Sequence, residues 1–282
     1  AGGFVFGAGQ ICFALAIDRI GMGLGFVINL GLGIGLGFLL PLALQHRDQV
    51  LTPFGLATLL GTLFAVAGLV VSSRAGALRE RERGSVSGAS TAGRSRHALG
   101  VLLATLAGLS SAGQNVVFSL TRGLQESAAS MGASPFASAN ILWPGFLLCA
   151  FVPYALYTLY LHFRNDSFGS YRLEGTAGYH ALAALMAALW YGSVVSYSKA
   201  SQLIGEIGPL IGWPMFMVLI ILTSSFWGWR HREWEGSSSQ ARLAMKQGLA
   251  LLVLAILVLG LSSSLHATGS AAAQTPAAGG AR

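Results

Sequence analysis

The sequence predicts an all-α, polytopic membrane protein, and three observations carry that prediction. Hydrophobic residues make up 54% of the 282-residue chain and charged residues only 10%, whereas a water-soluble domain carries roughly 25% charge. Mean hydropathy is +0.64. The apolar runs are continuous over about 17–24 residues, the length a helix needs to cross about 30 Å of hydrocarbon. Strands of a membrane barrel would instead alternate over about 10 residues. Lipid offers the backbone no hydrogen-bond partners, so a chain of this composition satisfies its amides internally, as helices.

Eight spans are expected, at 2–17, 20–44, 53–71, 98–120, 138–161, 181–198, 207–228 and 248–265, designated A to H. A and B meet at a short turn holding Asp18 and Arg19. B carries Gly21, Gly23, Gly25, Gly31, Gly33, Gly35 and Gly37 in one span. Glycines four apart, such as Gly21 and Gly25 or Gly31 and Gly35, let another helix approach the backbone closely, and close helix packing is expected there and at Gly205 and Gly208 of G's approach. C runs into a basic stretch, 72–97, that separates it from D. H, GLALLVLAILVLGLSSSL, is the cleanest span, and the tail 266–282, rich in Ala, Gly, Ser and Thr, is expected to be disordered. The chain opens at Ala1 without a methionine and directly in an apolar run, so further sequence is expected upstream.

Orientation follows from Lys and Arg. Arg19, Arg74, Arg79, Arg81, Arg83, Arg94, Arg96, Arg164, Arg172, Arg230, Arg232, Arg242 and Lys246 fall in loops on one side, thirteen against Arg47, Arg122, Lys199 and Arg282 on the other. The basic side is expected to be cytoplasmic. This asymmetry accounts for the formal charge of +7, so nucleic acid is not an expected partner. Cys12 and Cys149 lie far apart in apolar segments, and neither a disulfide nor a metal site is expected from them. The six histidines are scattered, with no HExxH, Walker or Cys-pair pattern. No strand precedes the glycine series in GMGLGFVINLG, which removes the dinucleotide-loop reading. Nothing here points to an enzyme, a cofactor or a metal.

Sliding the chain on itself by 184 residues brings A–B onto F–G: Ala16, Ile20 and Gly21 fall on Ala200, Ile204 and Gly205, and Phe6 on Trp190. Both pairs join through a very short connection into a Gly-rich helix start. If A–C (1–71) are the last three helices of one five-helix unit and D–H (98–265) a complete second one, eight helices of an expected ten are visible. An odd helix number inverts successive units, the plan of many transporters, whose binding site lies where Gly- or Pro-interrupted helices correspond. B, with its glycines and Pro41, and G, with Gly208, Pro209, Gly212 and Pro214, answer that description.

Four stretches add a resemblance. IGMGLGFVINLGLGIGLG (20–37) resembles the glycine-rich fourth helix of the L-rhamnose–proton symporter family of the drug/metabolite transporter superfamily. SSRAGALRERERG (72–84) resembles its basic loop, YSKASQLIGEIGPLIGWPMF (197–216) its ninth helix and preceding turn, and LSSAGQNVVFSL (109–120) the start of its second repeat. The resemblance implies an inverted-repeat, ten-helix carrier of the bacterial inner membrane moving a sugar with a proton. Its implied partners are the sugar, the proton and the lipid bilayer, and a homodimer is an assembly it allows. Another small metabolite or amino acid is the alternative solute, and a non-transporting assembly subunit the alternative of another class.

A sugar site needs amides and hydroxyls for the ring hydroxyls and flat aromatic faces for the ring. Residues of those types inside the spans are Asn29, Gln114, Asn115, Asn140, Trp143, Trp190, Tyr191, Tyr197 and Trp213. The amides could equally bond between helices, and Trp143, Tyr197 and Trp213, near span ends, could belong to an interfacial belt. Proton coupling needs a titratable group within the spans. Glu206, in LIGEIGPLIGWP, is the one acid set among apolar residues and glycines. Its alternative is an interfacial carboxylate that faces water or pairs with Lys199.

Overall fold

The computed structural model describes residues 1–82 and 94–274, and within them α-helices follow one another with no strand. They are α1 (Gly2–Gln45), α2 (Pro53–Glu82), α3 (Arg94–Leu120), α4 (Arg122–Ser130), α5 (Pro135–Ala139), α6 (Leu142–Asn165), α7 (Ala177–Ile204), α8 (Gly208–Arg230) and α9 (Ser239–Gln274). Seven helical stretches among the described residues are long and apolar enough to cross a membrane, one fewer than the eight expected. The difference lies in α1, which takes in both A and B as one 44-residue element.

Gly21 explains how α1 accommodates two spans. It interrupts the helix at φ +80°, ψ 163°, and the two arms fold back on each other. The rings of Phe13 and Phe26 meet edge to face at 5.0 Å, although thirteen residues of straight helix would hold them about 20 Å apart. Ile17 likewise packs against the backbone at Gly25. Gly21 has no neighbour within 4 Å of where a Cβ would stand, so it is a turn residue and not the packing contact expected of it. Because only glycine adopts this conformation cheaply, Gly21→Val should cost about 1–3 kcal/mol. A lowered thermal midpoint of the purified protein in detergent checks this.

The connection between α7 and α8 is built the same way. Gly205, the position matched to Gly21 by the 184-residue slide, has φ +91° and ψ −141° and is likewise a turn residue with open space around it. The two turns sit at opposite ends of α3. Near its start, Arg19 and Ile20 pack over Gly100 and Asp18 pairs with Arg96 at 3.5 Å. Just past its end, Glu206 pairs with Arg122 at 3.2 Å. About 40 Å of helix lies between the two ends. The two glycine turns thus lie at opposite ends of one helix.

Packing follows the glycines, though not always the ones singled out. α3 lies along both arms of α1, with Gly108 against Leu32 and Gly33 against Ser111. α2 and α9 pair through Gly61 with Leu259 and Gly68 with Leu252. Gly208 abuts the Ser201 carbonyl and Gly31 is in ordinary contact with Leu69, whereas Gly35 has no neighbour within 4 Å. The core between α1, α3, α6, α7 and α8 is largely aromatic, with Phe6, Phe118, Trp143, Phe146, Tyr197 and Trp213 all buried.

Several boundaries differ from expectation. α2 continues as helix through the first part of the 72–97 basic stretch to Glu82, and residues 83–93 of that stretch lie outside the described residues. α9 starts earlier than H, where the Ser238 hydroxyl accepts from the Ala241 amide, and runs on to Gln274, so 266–274 are helical where a disordered tail is expected. Residues 275–282 lie outside the description. The start of E is a separate turn of helix, α5, capped by Ser134 accepting from the Ala137 amide.

Candidate functional site

On α3 and the start of α4, positions 115, 118, 119 and 122 share one helical face. Asn115, Phe118, Ser119 and Arg122 therefore look the same way, toward the place where α1 ends and α8 begins. There an open hollow of about 620 Å³ is walled by elements from both ends of the sequence: Gln45 and His46 at the end of α1, Phe118 and Ser119 on α3, Arg122 and Glu126 on α4, Ser201 and Gln202 on α7, and Glu206 and Pro209 at the following turn.

The rim is charged and cross-linked. Arg122 donates from Nε to Glu126 Oε1 at 2.8 Å and reaches Glu206 Oε1 from Nη1 at 3.2 Å. Asp48 and His46 join the same wall. Burial pushes the His46 imidazole below its ordinary range, against the pull of Glu206 and Asp48. Deeper in, Gln45 Nε2 donates to Ser119 Oγ at 2.8 Å, tying α1 to α3. Lys199 Nζ donates to Gln202 Oε1 at 2.8 Å, and Gln202 Nε2 to Ser138 Oγ at 3.4 Å. Glu206 is 65% exposed and its ion-pair partner is Arg122, not Lys199.

Phe118, only 3% exposed, closes the inner end of the hollow. It stacks on Trp143 at 5.5 Å and leans on Tyr197 at 5.1 Å. One turn below it, Asn115 is fully buried and uses all of its amide. Nδ2 donates to Gly37 O at 2.8 Å and Pro209 O at 3.0 Å, and Oδ1 accepts from the Tyr197 hydroxyl at 2.6 Å. Trp213 Nε1 donates to Gly33 O at 2.9 Å, and Trp143 Nε1 to the Ser198 hydroxyl. Asn115 thereby joins α1, α3, α7 and α8 in one knot. The glycines of α1 leave the carbonyls of Gly33 and Gly37 open to these side chains.

The structure thus gathers Asn115, Trp143, Tyr197 and Trp213 directly behind the hollow, all buried and none at an exposed belt. Asn140 is near it, donating to Phe136 O at 3.0 Å with its side-chain carbonyl unpartnered. Asn29 and Gln114 are buried on α1 and α3 away from the hollow wall, Asn29 with an unpartnered Oδ1. Trp190 and Tyr191 are 46% and 41% exposed, and Trp190 lines a separate apolar crevice with Phe6 and Tyr154. Sequence reasoning passed over Gln45, Phe118, Ser119, Arg122 and Gln202. The helical spacing from Asn115 to Phe118, Ser119 and Arg122 would have found three of them.

A multi-pass helical bundle holding a polar hollow where α1, α3, α4, α7 and the start of α8 meet has the architecture of a membrane transport protein. The chain belongs to the family described as L-rhamnose-proton symport protein (RhaT), whose model matches residues 2–265. Its relatives include the L-rhamnose-proton symporter of Yersinia pestis (strain Pestoides F), 25% identical over 272 residues, which are 92% of this chain and 76% of that protein. The L-rhamnose-proton symporter of Citrobacter koseri is 25% identical over 266 residues, with the same two shares. No solved structure matches the chain. With its apolar helices, this family membership makes it a multi-pass protein of the bacterial inner membrane.

Proposed function

We propose that the chain carries L-rhamnose, or a sugar close to it, together with a proton, and that the hollow is where the solute is taken up. The observation that carries this reading is the hollow itself. It is rimmed by amides, hydroxyls and carboxylates that suit ring hydroxyls, and ends on Phe118, whose ring suits the apolar face of a sugar. Its relatives' names supply the solute and the ion. By the distribution of basic residues the hollow opens on the side away from the cytoplasm. The Gly21 and Gly205 turns support two oppositely oriented units, 1–71 and 98–265, that rock about the aromatic layer. Lipid is the partner of the broadly exposed apolar surface of α6 and α7.

Residues behind Phe118 become the inner part of the site once the repeats move: Asn115 and Tyr197 supply polar groups, and Trp143 and Trp213 flat faces. Glu206 is the carboxylate that takes the proton, standing at the hollow's rim within reach of water and tied to α4 through Arg122. Proteoliposomes with an imposed proton gradient and a panel of radiolabelled sugars, metabolites and amino acids test the reading. Accumulation of rhamnose ahead of the panel is expected, and accumulation of another class alone would replace the solute. Glu206→Gln should abolish gradient-driven accumulation while leaving solute exchange between two loaded compartments. Unchanged accumulation would remove Glu206 from the coupling role.

A further inference from the structure

The second arm of α1 and helix α8 each place one end at the hollow, through Gln45 and Pro209. Their other ends meet a second opening, a crevice of about 290 Å³ where Gly23 and Phe26 of α1 face Ser225 and Gly228 of α8. Between the two openings the helices are sealed by Trp213 on Gly33 and by Asn115 across Gly37 and Pro209. Ser72, Ser73, Ser224 and Ser225 are among the residues that line the crevice. Ser72 is 7% exposed, with its Oγ packed against Gly248 of α9.

The mouth of this crevice is strapped shut. Arg79, near the end of α2, bonds Glu233 Oε2 at 2.9 Å, and its guanidinium carbon lies 5.0 Å from the centre of the Trp234 ring. Trp234 in turn stacks on Trp229 at 6.0 Å. One turn further on, Glu82 Oε2 accepts from the Ser238 amide at 2.8 Å, and the Ser238 hydroxyl and amide hold the Glu82 carboxyl below its ordinary range. These contacts tie α2 to the connection between α8 and α9. The structure is therefore open at one end of the α1–α8 seam and latched at the other.

We propose that this crevice is the second mouth of the path and that Arg79 is the latch that keeps it closed. The second mouth rests on the transport reading above, but the latch can be read without any solute. The test uses protein with Cys12 and Cys149 replaced by alanine and Ser225→Cys added, held in nanodiscs so that both faces meet a thiol-reactive maleimide. With Arg79 in place, labelling should be slow. Arg79→Gln should raise the rate about tenfold, as loss of an ion pair and a cation–π contact allows, and Glu233→Gln, which leaves the cation–π contact, about threefold. Arg79→Lys and the exchanged pair Arg79→Glu with Glu233→Arg should stay slow, which mere local disruption would not produce. Unlatching should also change the rate of rhamnose uptake into proteoliposomes, which a contact remote from the path would not.

Unchanged labelling in both Gln variants overturns the latch. Faster labelling with rhamnose uptake unchanged from the parent's rate overturns the second mouth. If the protein with Ser225 and both cysteines in place accumulates no sugar at all, the transport reading fails instead, and the latch arms still report.

Discussion

Asn115→Leu is expected to lower the thermal midpoint of the purified protein and to abolish rhamnose uptake. The side chain is fully buried and makes three hydrogen bonds to three other helices. Bonds between membrane helices average about 0.6 kcal/mol, so their joint loss comes to roughly 2 kcal/mol. Leucine matches the volume but leaves the Tyr197 hydroxyl and the carbonyls of Gly37 and Pro209 without their partner. The larger effect falls on transport, because the four helices joined at Asn115 are those whose ends form the hollow. Circular dichroism melts in detergent and uptake into proteoliposomes read the two effects separately. A variant with full stability and full uptake would show that the knot is dispensable.

Gly37→Ala should be as damaging by a different route. A Cβ at Gly37 would run into the Trp213 ring, which is 1% exposed and has little room to retreat. Forcing a methyl into a packed interior costs about 1–3 kcal/mol, and moving Trp213 would also break its bond to Gly33 O. Gly35→Ala, two residues away on the same helix, meets nothing within 4 Å and should leave stability and uptake near the parent's. The pair of variants separates steric contact from a general dislike of substitution in this glycine-rich helix. Equal behaviour of the two would contradict the packing described.

The contrast between Gly35 and Gly37 also shows how far the sequence can be read. Composition and run length suffice for helices that cross lipid, since the backbone leaves no other solution. The 184-residue slide matched Gly21 with Gly205, and both prove to be turns with positive φ. Spacing alone could not say which glycines touch a neighbour, because that depends on the rotation of one helix against another. The helix count fell short for a local reason: at Gly21 the chain reverses within one continuous element, so two spans read as one.

The site was legible in part. Asn115, Trp143, Tyr197 and Trp213 come together, while Trp190 and Tyr191, deeper in their span, face outward. Depth along a helix is written in the sequence, but facing is not. Arg122 was counted only as a loop charge, because its two carboxylate partners sit in different parts of the chain. Glu206 was conspicuous by its apolar neighbours, yet the short turn carries it to the rim of the hollow rather than into the bundle.

Transport as proposed requires solute to occupy the hollow. Gln202 lines it and is partly buried, whereas the adjacent Leu203 is 76% exposed and outside it. With Cys12 and Cys149 removed, the maleimide labelling rate of Gln202→Cys can be compared with that of Leu203→Cys. Rhamnose is predicted to slow labelling at 202 in proportion to its occupancy and to leave 203 unchanged. Equal rates at 202 with and without rhamnose, in protein that still accumulates it, would contradict the account.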